Sequence, residues 1–218
     1  MASTPQDGSD AGKRSRIVEA ALDTCERRGV EGARMDEVAS LARVSKGTLY
    51  RFFDSKHDLF LATIIDSYEK SLRIIDTSVD AAVEPRPRLD VLLDGLTRVL
   101  PALAPRMSVY YQAWGVVAGA PEFQDRLYGF LRRFHAERGE EIAAAVRDGQ
   151  RAGVFRPDAD AAAFAEGVMA LLSGFLYRAA FDPERATAEG LRATFDALLR
   201  GLAPDAIAPS EPKGAVRA

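Results

Sequence analysis

Ser45-Lys46-Gly47-Thr48-Leu49-Tyr50-Arg51-Phe52-Phe53 is a short, basic and aromatic stretch, and its reading decides the fold. Ser45 is a good N-cap, because its hydroxyl can accept a backbone N–H from the first turn of a following helix. Leu49 and Phe53 are four residues apart and would face inward together, with Phe52 beside them. That leaves Lys46, Gly47, Thr48, Tyr50 and Arg51 outward: donors for phosphates and base edges, plus one residue with no side chain to block close approach. Phosphate contacts supply affinity and base contacts supply sequence preference. Upstream, Met35 to Ala42 sets Met35, Val38, Ala39 and Ala42 on one helical face. Arg43-Val44 then makes the tight connection of a helix-turn-helix, in which the second helix is the reader.

At these residues the chain resembles the N-terminal domain of the tetracycline-repressor-like (TetR) family of bacterial regulators. The matching words are Ile-Val-Glu-Ala-Ala at 17 to 21, Gly29, Asp-Glu-Val-Ala at 36 to 39, the run from Val44 to Phe53, and Ser-Lys-His-Asp-Leu at 55 to 59. The resemblance covers residues 13–73, with the helix-turn-helix itself at about 35–54. It implies a groove-reading unit in which Lys46 and Tyr50 meet phosphates, Thr48 and Arg51 meet base edges, and Gly47 permits close approach. Ser45, Lys56 and Arg34 would position the backbone. Two positions depart from the pattern. Arg34 replaces a hydroxyl cap on the second helix but could itself meet a phosphate. Arg43 stands where glycine is common in the turn, and a left-handed backbone there would cost about 1 kcal/mol.

The chain has 218 residues and a net charge of −3, so it is no nonspecific nucleic-acid coat. Charge is uneven, however: from Lys13 to Lys56 there are ten Lys/Arg against seven Asp/Glu, a local excess of three positive charges. Cys25 is the single cysteine, which rules out an intramolecular disulfide and fits a reducing compartment. It lines up with Ile17 and Ala21, as a packed core thiol does. No signal peptide is visible, and the longest apolar run, Gly167 to Tyr177, is too short to span a bilayer. The expectation is a cytoplasmic protein without a membrane partner.

Nothing alternates like a strand, and the expected fold is all-α with about nine helices. A first helix from Lys13 to Arg28 stops at Gly29. Ser55-Lys56-His57-Asp58 reads as a capping box opening a long fourth helix through Leu61, Ile64, Ile65, Tyr68, Leu72 and Ile75, ending near Ser78. Residues 74–203 form a second helical unit, with loose tails at 1–12 and 204–218. Within it, Pro85 and Pro87 open a helix that Pro101 and Pro105 close. Another carries Tyr110, Tyr111 and Trp114, and Pro121 starts one that runs to Gly149–Gly153 with a bend at Gly139. Asp158 is expected to cap the next, and Asp182-Pro183 to start the last.

The aromatic side chains of the second unit could line an apolar pocket between helices or be plain core. The resemblance implies an effector domain, which makes Met107, Tyr110, Tyr111, Trp114, Phe130, Phe134 and Phe175 the candidate lining for an apolar or aromatic small molecule. Gln112, Tyr177 and Arg178 are polar candidates for orienting it. The last two helices are apolar on more than one side, with small residues at Ala163, Gly167, Ala170 and Gly174. Here the resemblance implies a four-helix bundle between two copies of the chain, built on Phe164, Val168, Leu171, Phe175, Leu191, Phe195 and Leu198. No metal, cofactor or catalytic residue is expected. One Asp-x-x-His at 54 to 57 falls short of the paired Glu-x-x-His of a di-iron bundle, His135 reads as a solvated surface histidine, and no nucleophile elbow occurs. The implied function is a homodimeric repressor that reads a palindromic double-stranded operator, with half-sites roughly 34 Å apart or a small multiple of that. It would be released by its effector. An effector-free regulator, or an all-helical enzyme or carrier, is the alternative.

Overall fold

Two hydrophobic cores share two helices. A computed structural model describes residues 9–76 and 84–204 and, among them, is helical without a strand. The helices are α1 (Asp10–Gly32), α2 (Met35–Leu41), α3 (Lys46–Phe52), α4 (Lys56–Asp76), α5 (Pro85–Leu103), α6 (Met107–Ala118), α7 (Pro121–Arg151), α8 (Ala161–Ala179) and α9 (Ala188–Arg200), with a 3-10 turn at Ala104–Arg106. The smaller core joins Ile17, Val18, Ala20 and Ala21 of α1 to Val38, Ala39, Leu49 and Phe53, closed by Leu59 and Ala62 of α4. The larger core takes Leu22, Cys25 and Val30 of α1 and Phe60, Leu61 and Ile64 of α4, then α5 to α9. Burial pushes the Cys25 thiol up to about 11, so it packs as a small apolar side chain.

Several ends differ from the sequence expectation, each for a local reason. Ser9 accepts from Gly12 N and starts α1 at Asp10, so residues 10–12 are helical rather than part of a loose tail. Gly29 does break α1, at φ 72°. Leu72 and Ile75, and the expected end near Ser78, are not among the described side chains and residues. Pro101 lies inside the last turn of α5 and does not end it. Asp160 caps α8, accepting from Ala162 N and Ala163 N, whereas Asp158 is paired with Arg156. Asp182 makes a separate turn, with Arg185 N and Ala186 N donating to its carbonyl at 3.2 Å each. Thr187 caps α9 instead. α7 continues as one helix through Gly139 to Arg151, and Gly153 takes φ 72° after it.

Gly149 sits inside α7, where a Cβ would lie 2.1 Å from Phe155 Cδ2. Phe155 is 2% exposed, and the backbone N–H groups of Val154 and Phe155 both donate to the Gly149 carbonyl, so the ring is pressed against the helix it has just left. Replacing Gly149 by Ala is expected to cost about 1–3 kcal/mol through overpacking, lowering Tm by roughly 2–4 °C per kcal/mol in a chain of this size. Calorimetric unfolding checks this; an unchanged Tm would mean that Phe155 is free to swing away.

Candidate functional site

α3 is held by its own chemistry at both ends. Ser45 Oγ accepts from Thr48 N at 3.0 Å and shares a hydrogen bond with Thr48 Oγ1 at 2.8 Å. Beneath, Leu49 is 0% and Phe53 2% exposed. Lys46, Gly47, Tyr50 and Arg51 are exposed and Thr48 half-buried, so the outward set forms one face. No protein atom crowds Gly47; a Cβ there would meet only Ser45 Oγ at 3.9 Å. The turn before α3 holds Arg43 at φ 54°, the left-handed conformation that glycine would take without strain. Arg34 stands at the α2 N-cap without a side-chain cap bond, and its own side chain is exposed.

The cations of this face are engaged by acids of the same domain. Lys46 Nζ lies 2.7 Å from Asp36 Oδ1, a contact that holds the Asp36 carboxyl below the usual range and Lys46 above its own. Arg51 Nη2 lies 2.9 Å from Asp10 Oδ1, with the guanidinium 5.0 Å from the centre of the Phe52 ring. Lys56 Nζ donates to the Glu31 carbonyl at 2.7 Å and sits over Phe60, so it ties the start of α4 to the end of α1. Ser55 Oγ accepts from Asp58 N at 3.1 Å, which is the serine half of the capping box.

In the larger core a cavity of about 220 Å³ is lined by Tyr68, Tyr111, Trp114, Leu131, Phe134, His135, Leu172, Ser173 and Leu176. Of the expected lining, Tyr111, Trp114 and Phe134 are there. Tyr110 instead borders a separate cavity of about 290 Å³ between α1, α4 and the 3-10 turn. Met107, 3% exposed, is core. Phe130 meets Tyr68 edge-on at 6.0 Å, and Phe175 packs toward Gly190 of α9. His135 is half-buried on the cavity wall rather than solvated, and Tyr68 lines the same wall from α4. Gln112 turns to α1, Tyr177 is 60% exposed with its ring edge-on to Tyr111, and Arg178 lies over Phe175.

On α8 and α9, Val168, Leu191 and Phe195 are each 0% exposed within the subunit. They fill its own core and are not available to a second copy. Phe164, Leu171, Phe175 and Leu198 remain partly open, beside exposed Ala163, Ala170 and Gly174. Among the described residues no helix is long and apolar enough to cross a membrane, and no group of His, Cys, Asp or Glu is arranged to hold a metal.

A capped, outward-facing reader on a three-helix support, joined to a helical unit with an aromatic cavity, defines a helix-turn-helix protein with a separate C-terminal domain. Residues 17–63 match the family of bacterial regulatory proteins of the tetR type, and residues 85–204 match the C-terminal domain of BetI-type transcriptional repressors. The chain belongs to the TetR family of transcriptional regulators. The regulator RutR of Escherichia coli strain K12 is 32% identical over 149 residues, an alignment that spans 65% of this chain and 66% of RutR. The TetR-family regulator PfmR of Thermus thermophilus superposes with TM-score 0.64 at 25% identity, over 86% of this chain and 98% of that one. A transcriptional regulator of Saccharomonospora viridis in complex with choline superposes with TM-score 0.64 at 25% identity, covering 87% and 96%.

Asp36 holds Lys46 in an ion pair, so with Lys46 on a phosphate it would compete for the ammonium and add like charge near the DNA backbone. Asp36→Asn is therefore expected to tighten binding several-fold at low salt on specific and unrelated duplexes alike, because the gain carries no base information. Anisotropy titrations with both duplexes test this, and an unchanged or weaker affinity would place Lys46 off the phosphate path.

Proposed function

We propose that the chain acts in the cytoplasm as a homodimeric repressor of a palindromic operator, reading one half-site per subunit and released by a small molecule. The observation that carries this reading is the outward set Lys46, Gly47, Tyr50 and Arg51 on a helix whose underside, Leu49 and Phe53, is buried. An apolar underside fixes the pitch of the helix, and the outer side presents hydroxyl and cationic donors whose partners within the subunit are exposed contacts. Lys46 and Tyr50 are assigned to phosphates, Thr48 and Arg51 to base edges, and Gly47 to close approach of the two backbones. Arg34 is assigned to a flanking phosphate, and Ser45 and Lys56 to support. No reaction is assigned to the chain.

The second copy would sit on α8 and α9, where Phe164, Leu171, Phe175 and Leu198 flank the small residues Ala163, Gly167, Ala170 and Gly174. Small residues let two helices approach closely, and the geometry suits a four-helix bundle. The effector would occupy the cavity bounded by Tyr68, Tyr111, Trp114, Phe134 and His135. Ring-lined walls suit an apolar or aromatic molecule. They also support a second reading, favoured by the choline held by the Saccharomonospora neighbour: a small alkylammonium ion, attracted by the negative faces of the rings.

Lys46→Ala and Tyr50→Ala are each expected to weaken operator binding; Lys46→Ala should also flatten the plot of log K against log salt by about one unit, whereas Tyr50→Ala, which removes no charge, should leave the slope unchanged. Unchanged binding in both would remove α3 from the interface. For the effector, Trp114 is the only tryptophan and reports directly on the cavity. Titration with choline should change its emission at concentrations where the neutral isostere 3,3-dimethyl-1-butanol does not. Equal responses would favour the apolar reading.

A further inference from the structure

The seam between the reader domain and the effector domain carries a cluster of ion pairs beside its apolar contacts. Arg106, in the turn that leads into α6, reaches three carboxylates of α1: its Nε lies 2.8 Å from Glu26 Oε1, Nη1 3.2 Å from Glu19 Oε2 and Nη2 3.6 Å from Asp23 Oδ1. Those acids recur along one face of α1, where like charges repel and need a shared cation. Lys70 of α4 lies 2.5 Å from Glu19 Oε1 and 2.8 Å from Asp66 Oδ2, so Glu19 joins three elements. Further along α6, Gln112 Oε1 accepts from Val30 N at 3.5 Å, just past the break of α1 at Gly29.

Packing is loose at this seam. The cavity of about 290 Å³ bordered by Glu19, Ser67, Lys70, Arg106 and Tyr110 lies beside the ion pairs. The cavity leaves room beside the Arg106 contacts, which link the start of α6 to α1. α6 and the turn before it face both ways: Tyr111 and Trp114 of α6 line the aromatic cavity, while Arg106 of the turn and Gln112 of α6 contact the helix that braces α2 and α3.

We propose that Arg106 is a positioning residue that couples the aromatic cavity to the reader through α6 and α1, a route separate from the continuous helix α4. The inference rests on the DNA-binding reading above. A single guanidinium fits this task because its fork of donors meets several carboxylates at fixed angles, which a lysine ammonium does not reproduce.

Coupling between two binding sites is reciprocal. Operator binding must therefore disturb the cavity wall, and Trp114 reports it without an identified effector. The test uses the full-length protein and a duplex selected by it from a random pool, with binding followed by anisotropy and Trp114 by its emission maximum. The wild type is expected to shift its emission maximum on saturation with the duplex. Arg106→Gln should still bind that duplex within several-fold of the wild type but lose at least half of the shift, and Arg106→Lys should fall between the two. The triple variant E19Q/D23N/E26Q approaches the seam from the other side and should reproduce the loss with Arg106 intact. It also guards against a folding defect peculiar to Arg106→Gln, since helical circular dichroism is recorded for each. A shift of wild-type size in both Arg106→Gln and the triple variant overturns the proposal, as does a wild type that binds the duplex with no shift. If no duplex is selected at all, the regulator reading falls and takes this inference with it.

Discussion

The structure depends on α1 and α4 being buried on two sides by different partners. Ile17, Val18 and Ala21 of α1 serve the smaller core, and Leu22, Cys25 and Val30 serve the larger. α4 divides in the same way between Leu59 and Phe60. α3 has seven residues and could not persist as an isolated helix. It exists because Leu49 and Phe53 enter the small core and Ser45 satisfies one of its free N–H groups. Each fully buried large side chain contributes about 1.5–3 kcal/mol, so the reader is anchored chiefly by these two residues. Anything that tilts α1 or α4 relative to the larger core therefore acts on the same side chains that hold the reader.

How much of this was legible in the sequence depends on the range of the interactions involved. The reader was legible because it is local: a cap, apolar residues four apart, and a turn whose Arg43 does take the left-handed conformation. Gly29 was legible for the same reason. Cap assignment failed where two candidates lay close together. Asp158 and Asp160 are chemically alike, and the choice falls to Asp160 because Arg156 has already claimed Asp158. Asp182 lost to Thr187 because the chain makes a turn first and buries Ala186 before α9 begins. The cavity was legible only in kind. Helical period shows that aromatic residues turn inward, but which rings leave a gap is decided by how the helices meet. Tyr68 and His135 line the wall while Phe130 and Phe175 pack elsewhere. The same limit applies to α8 and α9: two apolar sides were evident, but Val168, Leu191 and Phe195 turned out to face their own subunit.

The charge of the reader carries a further consequence. A net charge of −3 disfavours indiscriminate attachment to nucleic acid, and the local pairs work in the same direction. Lys46 with Asp36, and Arg51 with Asp10, are exposed contacts that contribute little to stability. Their effect lies in what DNA must displace. On the proposed assignment a phosphate would replace Asp36 on Lys46 at small net gain, which would keep binding to unrelated duplexes weak. Arg51, held by Asp10 on one side and lying over Phe52, has a restricted orientation before any base edge is met. A restricted guanidinium loses less freedom when it finds a matching pair of acceptors and is poorly placed for a mismatched one. Weak affinity for phosphate combined with a preset donor direction would raise the ratio of specific to nonspecific binding, even where it lowered affinity for both. That ratio decides how a regulator is distributed over a genome, so carboxylates beside the groove-facing cations are consistent with a reader selected for discrimination, and a more basic surface would bind more tightly but discriminate less.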